Sequence, residues 1–175
     1  MKNKVFLINI FIFIFFLFCF FIFFESLNKD QSYSPEKSVG KKIPSFLSKD
    51  LFTNKEIKSE NIFIDSDFYI LNIWSSWCLP CREEHSILMN LSLNSSLKLI
   101  GLNYKDDQKN AKKFINELGN PYSKILVDKD GILGIEWGAY GVPETFLISK
   151  DKRIIKKYFG PLDQKSLKEI EEILK

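Results

Sequence analysis

The sequence predicts an α/β sandwich of three layers behind a single membrane-spanning helix. Strand-like runs rich in β-branched and aromatic residues alternate with helix-like runs, the pattern of a sheet covered on both faces. Residues 5–24 are almost wholly Phe, Ile and Leu. Cys78 and Cys81 stand two residues apart where a strand-like run gives way to a helix-like one.

A chain of 175 residues holds one domain plus an extension. Its formal net charge is +3, and Lys2 and Lys4 supply two of those charges, which leaves +1 for residues 5–175. No basic stripe is present, so nucleic acid is excluded as a partner.

Residues 1–4 form a short basic head and 5–24 the apolar span. A helix of ~20 residues covers roughly 30 Å, the thickness of the hydrocarbon core. A cleaved signal has a shorter apolar run and a small-x-small site, whereas Phe23-Phe24-Glu25-Ser26-Leu27-Asn28 has none. The segment therefore reads as a retained anchor. Lysines before it and Glu25 after it put the N-terminus in the cytoplasm and the domain in the periplasm. Cys19, inside the span, reads as a small lipid-facing residue without a redox role. Residues 25–42 are polar and read as a tether.

The domain, 43–175, opens with a short strand and turn over 43–51 and an extended piece at Ile62-Phe63-Ile64. Residues 68–75 form the central strand and 82–93 the following helix, with Ile87, Leu88 and Leu91 on its apolar face. Pro80 suits the first turn of that helix, where its missing N–H is not needed. A buried strand over 97–103 leads to a helix that Asp106 and Asp107 begin and Gly119 ends, with Ala111, Phe114, Ile115 and Leu118 inward. A strand at 124–127 and a helical turn or two at 131–137 follow. Residues 144–149 and 154–159 pair as a hairpin around Lys150-Asp151-Lys152-Arg153. A helix over 162–175 closes the chain, with Leu167, Ile170, Ile173 and Leu174 on one face.

Cys78 then lies at a helix N-terminus, where free N–H groups and the dipole stabilise a thiolate, the species that attacks disulfides. Other uses of the pair fit less well. Structural zinc needs four ligands, and the chain has no second Cys-x-x-Cys and only one histidine, His85. A structural bridge over so short a loop restrains the unfolded chain little. Haem attachment needs a histidine after the second cysteine, where Arg82 stands. The pair is read as the attacking thiol, Cys78, with the exposed sulfur, and the resolving thiol, Cys81. His85 reads as a surface or partly packed helix residue. Trp74, Trp77 and Trp137 read as packing residues, with Trp77 and Tyr140 also lining a substrate groove.

Trp77-Cys78-Leu79-Pro80-Cys81 resembles the thioredoxin-like proteins. With Cys81-Arg82-Glu83-Glu84-His85, Gly101-Leu102-Asn103-Tyr104-Lys105-Asp106-Asp107 and Tyr140-Gly141-Val142-Pro143-Glu144-Thr145-Phe146-Leu147-Ile148, the resemblance is to the CcmG/DsbE branch. These are membrane-tethered thiol:disulfide interchange proteins of bacterial cytochrome c biogenesis. The resemblance covers about residues 40–175. It implies a thioredoxin-like three-layer α/β/α sandwich whose piece at 124–137 is a central insert.

It also implies a cis Val142-Pro143 bond facing the cysteines, so that Trp77, Pro80, Val142 and Pro143 form the substrate groove. Thioredoxins carry a buried Asp six residues before the first cysteine; here that position is Asn72, which cannot titrate. Glu84 and Glu144 are acidic positions of the family that border its active site, and they are expected to tune the thiols, since a nearby carboxylate disfavours a thiolate. The implied substrate is the Cys-x-x-Cys-His disulfide of apocytochrome c or a haem-ligation protein, and the implied donor a membrane thiol reductant of the DsbD/CcdA kind. The disulfide itself is the redox centre, and neither metal nor cofactor is expected. Two other readings stay open: a general TlpA- or DsbA-type reductase or oxidant, and a non-catalytic module that binds apocytochrome.

Overall fold

The computed structural model of the protein describes residues 2–28 and 38–175. The N-terminal unit is one helix, α1 (Lys2–Asn28). Within it Phe6–Leu27 has a mean hydropathy of 3.0 and no buried share, long and apolar enough to cross a membrane. The helix runs four residues past the expected span, because Glu25, Ser26, Leu27 and Asn28 extend it. The middle of the expected tether, residues 29–37, lies outside the described residues.

The second unit is the α/β domain. Its strands are β1 (Leu47–Asp50), β2 (Glu56–Lys58), β3 (Phe68–Trp74), β4 (Leu97–Tyr104), β5 (Lys124–Asp128), β6 (Glu144–Ser149) and β7 (Ile154–Phe159). Its helices are α2 (Leu79–Leu91), α3 (Gln108–Leu118), α4 (Ile132–Glu136) and α5 (Gln164–Ile173). One sheet runs in the order β2-β1-β5-β4-β3-β6-β7. β3, β4 and β5 are parallel, and the flanking strands pair antiparallel. The predicted insert is present as β5 with α4.

β3 lies inside the sheet, between β4 and β6, because both its faces are largely apolar. Ile70 and Trp74 point into one core with Leu88, Leu91, Phe114, Leu167 and Ile170 from α2, α3 and α5. Tyr69, Leu71 and Ile73 point into the other, with Phe46, Phe63 and Trp137. Each such side chain contributes about 1.5–3 kcal/mol by burial, so β3 anchors both cores.

The short pieces differ from expectation. Ile62-Phe63-Ile64 is not extended. A 3-10 turn (Ser59–Asn61) leads into it, and Ile62 and Phe63 plug the second core while Ile64 stays exposed. Their apolar run marks burial rather than a strand. The strand of this region is β2, pairing Glu56–Lys58 with Leu47–Lys49. The end of the expected tether is also fixed to the domain: Gly40 N–H donates to Ile154 O (2.8 Å), and Lys41 O accepts from Ile154 N–H (2.9 Å).

Candidate active site

The loop 75–78, which joins β3 to α2, is held from the β4–α3 turn. Asp106 accepts the Ser76 backbone N–H at 2.6 Å and the Ser76 hydroxyl at 2.7 Å, and Asn103 Nδ2 donates to the same carboxylate at 2.9 Å. Ser75 Oγ donates to Tyr104 O, and Trp77 Nε1 donates to Lys105 O at 3.1 Å. The Asn103–Asp106 stretch therefore cradles the run before the cysteines.

Cys78 is the N-cap of α2, and Cys78 and Cys81 form a disulfide with a Cα–Cα distance of 5.3 Å. Cys78 Sγ also accepts the Cys81 N–H at 3.1 Å. Cys78 caps the helix with sulfur, so the helix begins at Leu79, three residues before the expected Arg82. Pro80 falls in its first turn, as read from the sequence. Both cysteines are buried: Cys78 is 4% exposed and Cys81 2%. The expected exposed sulfur at Cys78 is thus nearly covered, because both side chains pack into the α2-side core, while Trp77 (59% exposed), Leu79 and Pro80 take the surface.

Glu84, one turn beyond Cys81, is buried at 1% exposure. Its carboxylate accepts from Asn72 Nδ2 (2.8 Å) and from Leu162 N–H (2.8 Å). Asn72 Nδ2 also reaches Thr145 Oγ1 (2.9 Å), and its Oδ1 accepts from Tyr122 Oη (2.7 Å). Burial raises the Glu84 carboxyl to about 7, against the lowering effect of the Leu162 and Asn72 hydrogen bonds. A group balanced so near neutrality can both take and return a proton. The buried acid beside Asn72 is thus Glu84, carried by the helix instead of the strand.

The Val142–Pro143 bond is cis. Pro143 is buried, with its carbonyl accepting from Gly160 N–H (3.1 Å), and half-buried Val142 packs against the core that holds both cysteines. Glu144 is turned away from Glu84 and the cysteines. Antiparallel partners share a face, and Glu144 lies opposite Ile73, whereas Thr145 lies opposite Asn72. Its Oε1 accepts from Tyr140 N–H (2.6 Å) and Gly141 N–H (3.0 Å), and its Oε2 meets Lys157 Nζ at 2.6 Å in a fully buried ion pair. Lys157 also donates to Gly138 O at 2.7 Å. Glu144 and Lys157 thereby tie down the 138–143 loop from behind.

His85 is packed, not superficial: its Nε2 lies 3.0 Å from Gly119 O and its ring meets Phe114 edge-on. Burial pushes its pKa down. Trp74 and Trp137 are core residues, and Tyr140, two residues before Val142, is exposed. Among the described residues, no three His, Cys, Asp or Glu side chains gather as a metal-binding group. Sequence reasoning missed Tyr122, Thr145, Asp106 and Lys157. Only Asp106 and Thr145 carried a signal, since both lie in stretches that bear the family resemblance.

Residues 38–174 match the Redoxin family. The chain is 34% identical over 165 residues to the thiol:disulfide interchange protein DsbE of Escherichia coli (strain K12), covering 93% of this chain and 89% of that protein. It is 46% identical over 100 residues to the thiol:disulfide interchange protein CycY of Rhizobium leguminosarum bv. viciae, a match spanning 57% of this chain and 54% of CycY. The fold is shared with a DsbF homologue from Corynebacterium diphtheriae (TM-score 0.65, 20% identity, 75% of this chain and 85% of that one). It is also shared with StoA from Bacillus subtilis (TM-score 0.55, 28% identity, 75% and 97%). A thioredoxin-like domain with a disulfide capping its first long helix, matched along nearly its whole length by DsbE, makes the chain a thiol:disulfide oxidoreductase that belongs to the redoxin family, within the DsbE/CycY group.

Proposed function

We propose that the protein is a membrane-anchored periplasmic reductase of protein disulfides in cytochrome c maturation. Its substrate is the Cys-x-x-Cys-His disulfide of apocytochrome c, or of a haem-ligation protein. One observation supports this above the rest: the Cys78–Cys81 pair caps α2 with a buried carboxyl, Glu84, one turn further on. Such a site fits two-step exchange that ends in an internal disulfide.

In the proposed cycle Cys78 thiolate attacks one sulfur of the substrate disulfide. A mixed disulfide forms, and the other substrate sulfur leaves as a thiolate that takes a proton from water. Cys81 gives its proton to Glu84 and attacks Cys78 Sγ. The Cys78–Cys81 disulfide forms, and the second substrate sulfur leaves and is protonated. Two electrons pass to the substrate, and a membrane dithiol donor of the DsbD/CcdA kind restores the pair. Trp77, Pro80, Val142 and Pro143 form the groove for an extended substrate. Glu84 tunes Cys81 directly, and Glu144 acts through Lys157 on the groove loop.

The proposed domain plan keeps residues 1–4 in the cytoplasm, 5–24 across the inner membrane, 25–42 as a tether whose last residues are bonded to the domain, and 43–175 as the periplasmic domain. The 22-residue apolar stretch Phe6–Leu27 supports the anchor.

The deciding measurement is the reduction potential of the Cys78–Cys81 pair. Thioredoxin lies near −270 mV and DsbA near −120 mV. A value below roughly −200 mV is expected of a reductase in an oxidising compartment, and one near −120 mV would make the protein an oxidant and end the cytochrome reading. Cys78→Ser is expected to abolish exchange, and Cys81→Ser to accumulate mixed disulfides. A binding module, by contrast, would keep full function as a double cysteine-to-alanine variant.

A further inference from the structure

Tyr122 has no part in the exchange chemistry or the groove described so far. It lies buried in the α3–β5 connection, its ring stacked on Trp74 (5.9 Å between centroids, 14° between planes). Gly101 leaves the room for this: a Cβ there would sit 3.0 Å from the Tyr122 ring and 2.8 Å from Trp74 Nε1. The packing aims the hydroxyl at Asn72 Oδ1, 2.7 Å away.

That hydrogen bond decides which way the Asn72 amide faces. With Oδ1 occupied by a donor, Nδ2 is turned to Glu84 Oε1 and Thr145 Oγ1. The reverse orientation would set two oxygen acceptors against each other at 2.8 Å whenever Glu84 is ionised. The phenol also stays a donor, because burial and the Glu84 charge push its ionisation well up.

We propose that Tyr122 is a positioning residue of the exchange reaction, which by fixing the Asn72 amide keeps an N–H donor on Glu84 and so keeps that carboxylate ready to take the Cys81 proton. The inference rests on the assignment of Glu84 as the base. The titratable groups around Glu84 are few. α2 supplies Cys81, Arg82 and His85, of which Arg82 turns to Glu117 and His85 to Gly119 O. β3 and β6 supply only the neutral Asn72 and Thr145, and the turn before α5 supplies the Leu162 N–H. On the same core side β7 and α5 carry Tyr158, Lys156 and Glu169, the last two paired with each other.

Tyr122→Phe removes the hydroxyl and keeps the ring. The test is the pH profile of mixed-disulfide resolution by Cys81 in the full-length protein. Loss of the fixed donor raises the Glu84 midpoint, so the acidic limb should move to higher pH. The variant should be roughly threefold slower at pH 6.5 and match the parent above pH 9, a half-unit displacement of one titration. An unmoved limb overturns the inference and leaves Tyr122 a packing residue.

Glu84→Gln separates the two assignments. If it keeps the limb, the base assignment fails and the Tyr122 inference with it. If it loses the limb while Tyr122→Phe keeps the parent profile, only the inference fails. A second measurement needs no variant. In intact protein carrying 13C at tyrosine Cζ, the Tyr122 signal should titrate with the Glu84 carboxyl, and a flat Tyr122 signal beside a titrating Glu84 overturns the inference.

Discussion

At the scale of single residues, Glu84 carries the most consequence. Its carboxyl titrates near 7 in the folded protein, against an ordinary value of 4.5. The unfolded chain therefore loses this proton first as pH rises. Stability from the protonated form is complete below pH 4.5 and is lost as pH rises through about 7. The difference corresponds to roughly 3 kcal/mol. Glu84→Gln should flatten this part of the stability curve, as measured by urea unfolding at a series of pH values between 4 and 8. The Glu144–Lys157 pair makes the second residue-scale prediction. Both side chains are fully buried, so removing one partner leaves an uncompensated charge. Lys157→Met should cost roughly 3–5 kcal/mol, and adding Glu144→Gln should recover part of it. Chemical unfolding of the single and double variants measures both. The sequence placed Glu84 and Glu144 near the cysteines but did not show their surroundings. Glu84 is enclosed by the turn before α5, far along the chain. Glu144 faces the other core because strand side chains alternate, and its face became legible only with the β3–β6 register.

Among the elements, those with strong periodicity were readable: β3, β4, β6, β7, α3 and α5 fall within a few residues of their expected bounds. β2 was not, since Glu56-Ile57-Lys58 is too short to display alternation. Ile62-Phe63 misled because an apolar pair plugging a core resembles a buried strand. The start of α2 lay three residues early, because a cysteine sulfur does the capping that Ser or Asp usually does. α3 has an ordinary cap: Asp107 accepts from Lys109 N–H (3.0 Å) and Asn110 N–H (3.1 Å). Asp107→Ala should lower stability by about 1 kcal/mol. Asp106, next to it, braces the loop before Cys78 instead. Asp106→Ala should therefore slow disulfide exchange more than it lowers stability, and exchange kinetics set beside thermal unfolding measure the two effects.

For the whole molecule, the three-layer sandwich and the cysteine pair were legible because alternation and the Cys-x-x-Cys spacing are local signals. The buried network of Tyr122, Asn72, Thr145 and Glu84 was not, since it joins four elements distant in sequence. The proposed anchor makes the last prediction. A chain lacking residues 1–37 should fold, remain in the aqueous fraction and reduce a soluble protein disulfide at the rate of the full-length protein in detergent, whereas the full-length protein should sediment with membranes. Ultracentrifugation with activity assays on each fraction checks both halves.

The covered disulfide has a consequence for leakage. Cys78 and Cys81 show 4% and 2% of their surfaces. A small thiol that strikes the domain at random therefore seldom meets sulfur. A polypeptide lying in the proposed groove over Trp77 and Val142 can bring its own thiol into line. For the proposed reductase such a site works as an insulated contact: electrons enter the pair from partners that fit and not from thiols that merely collide.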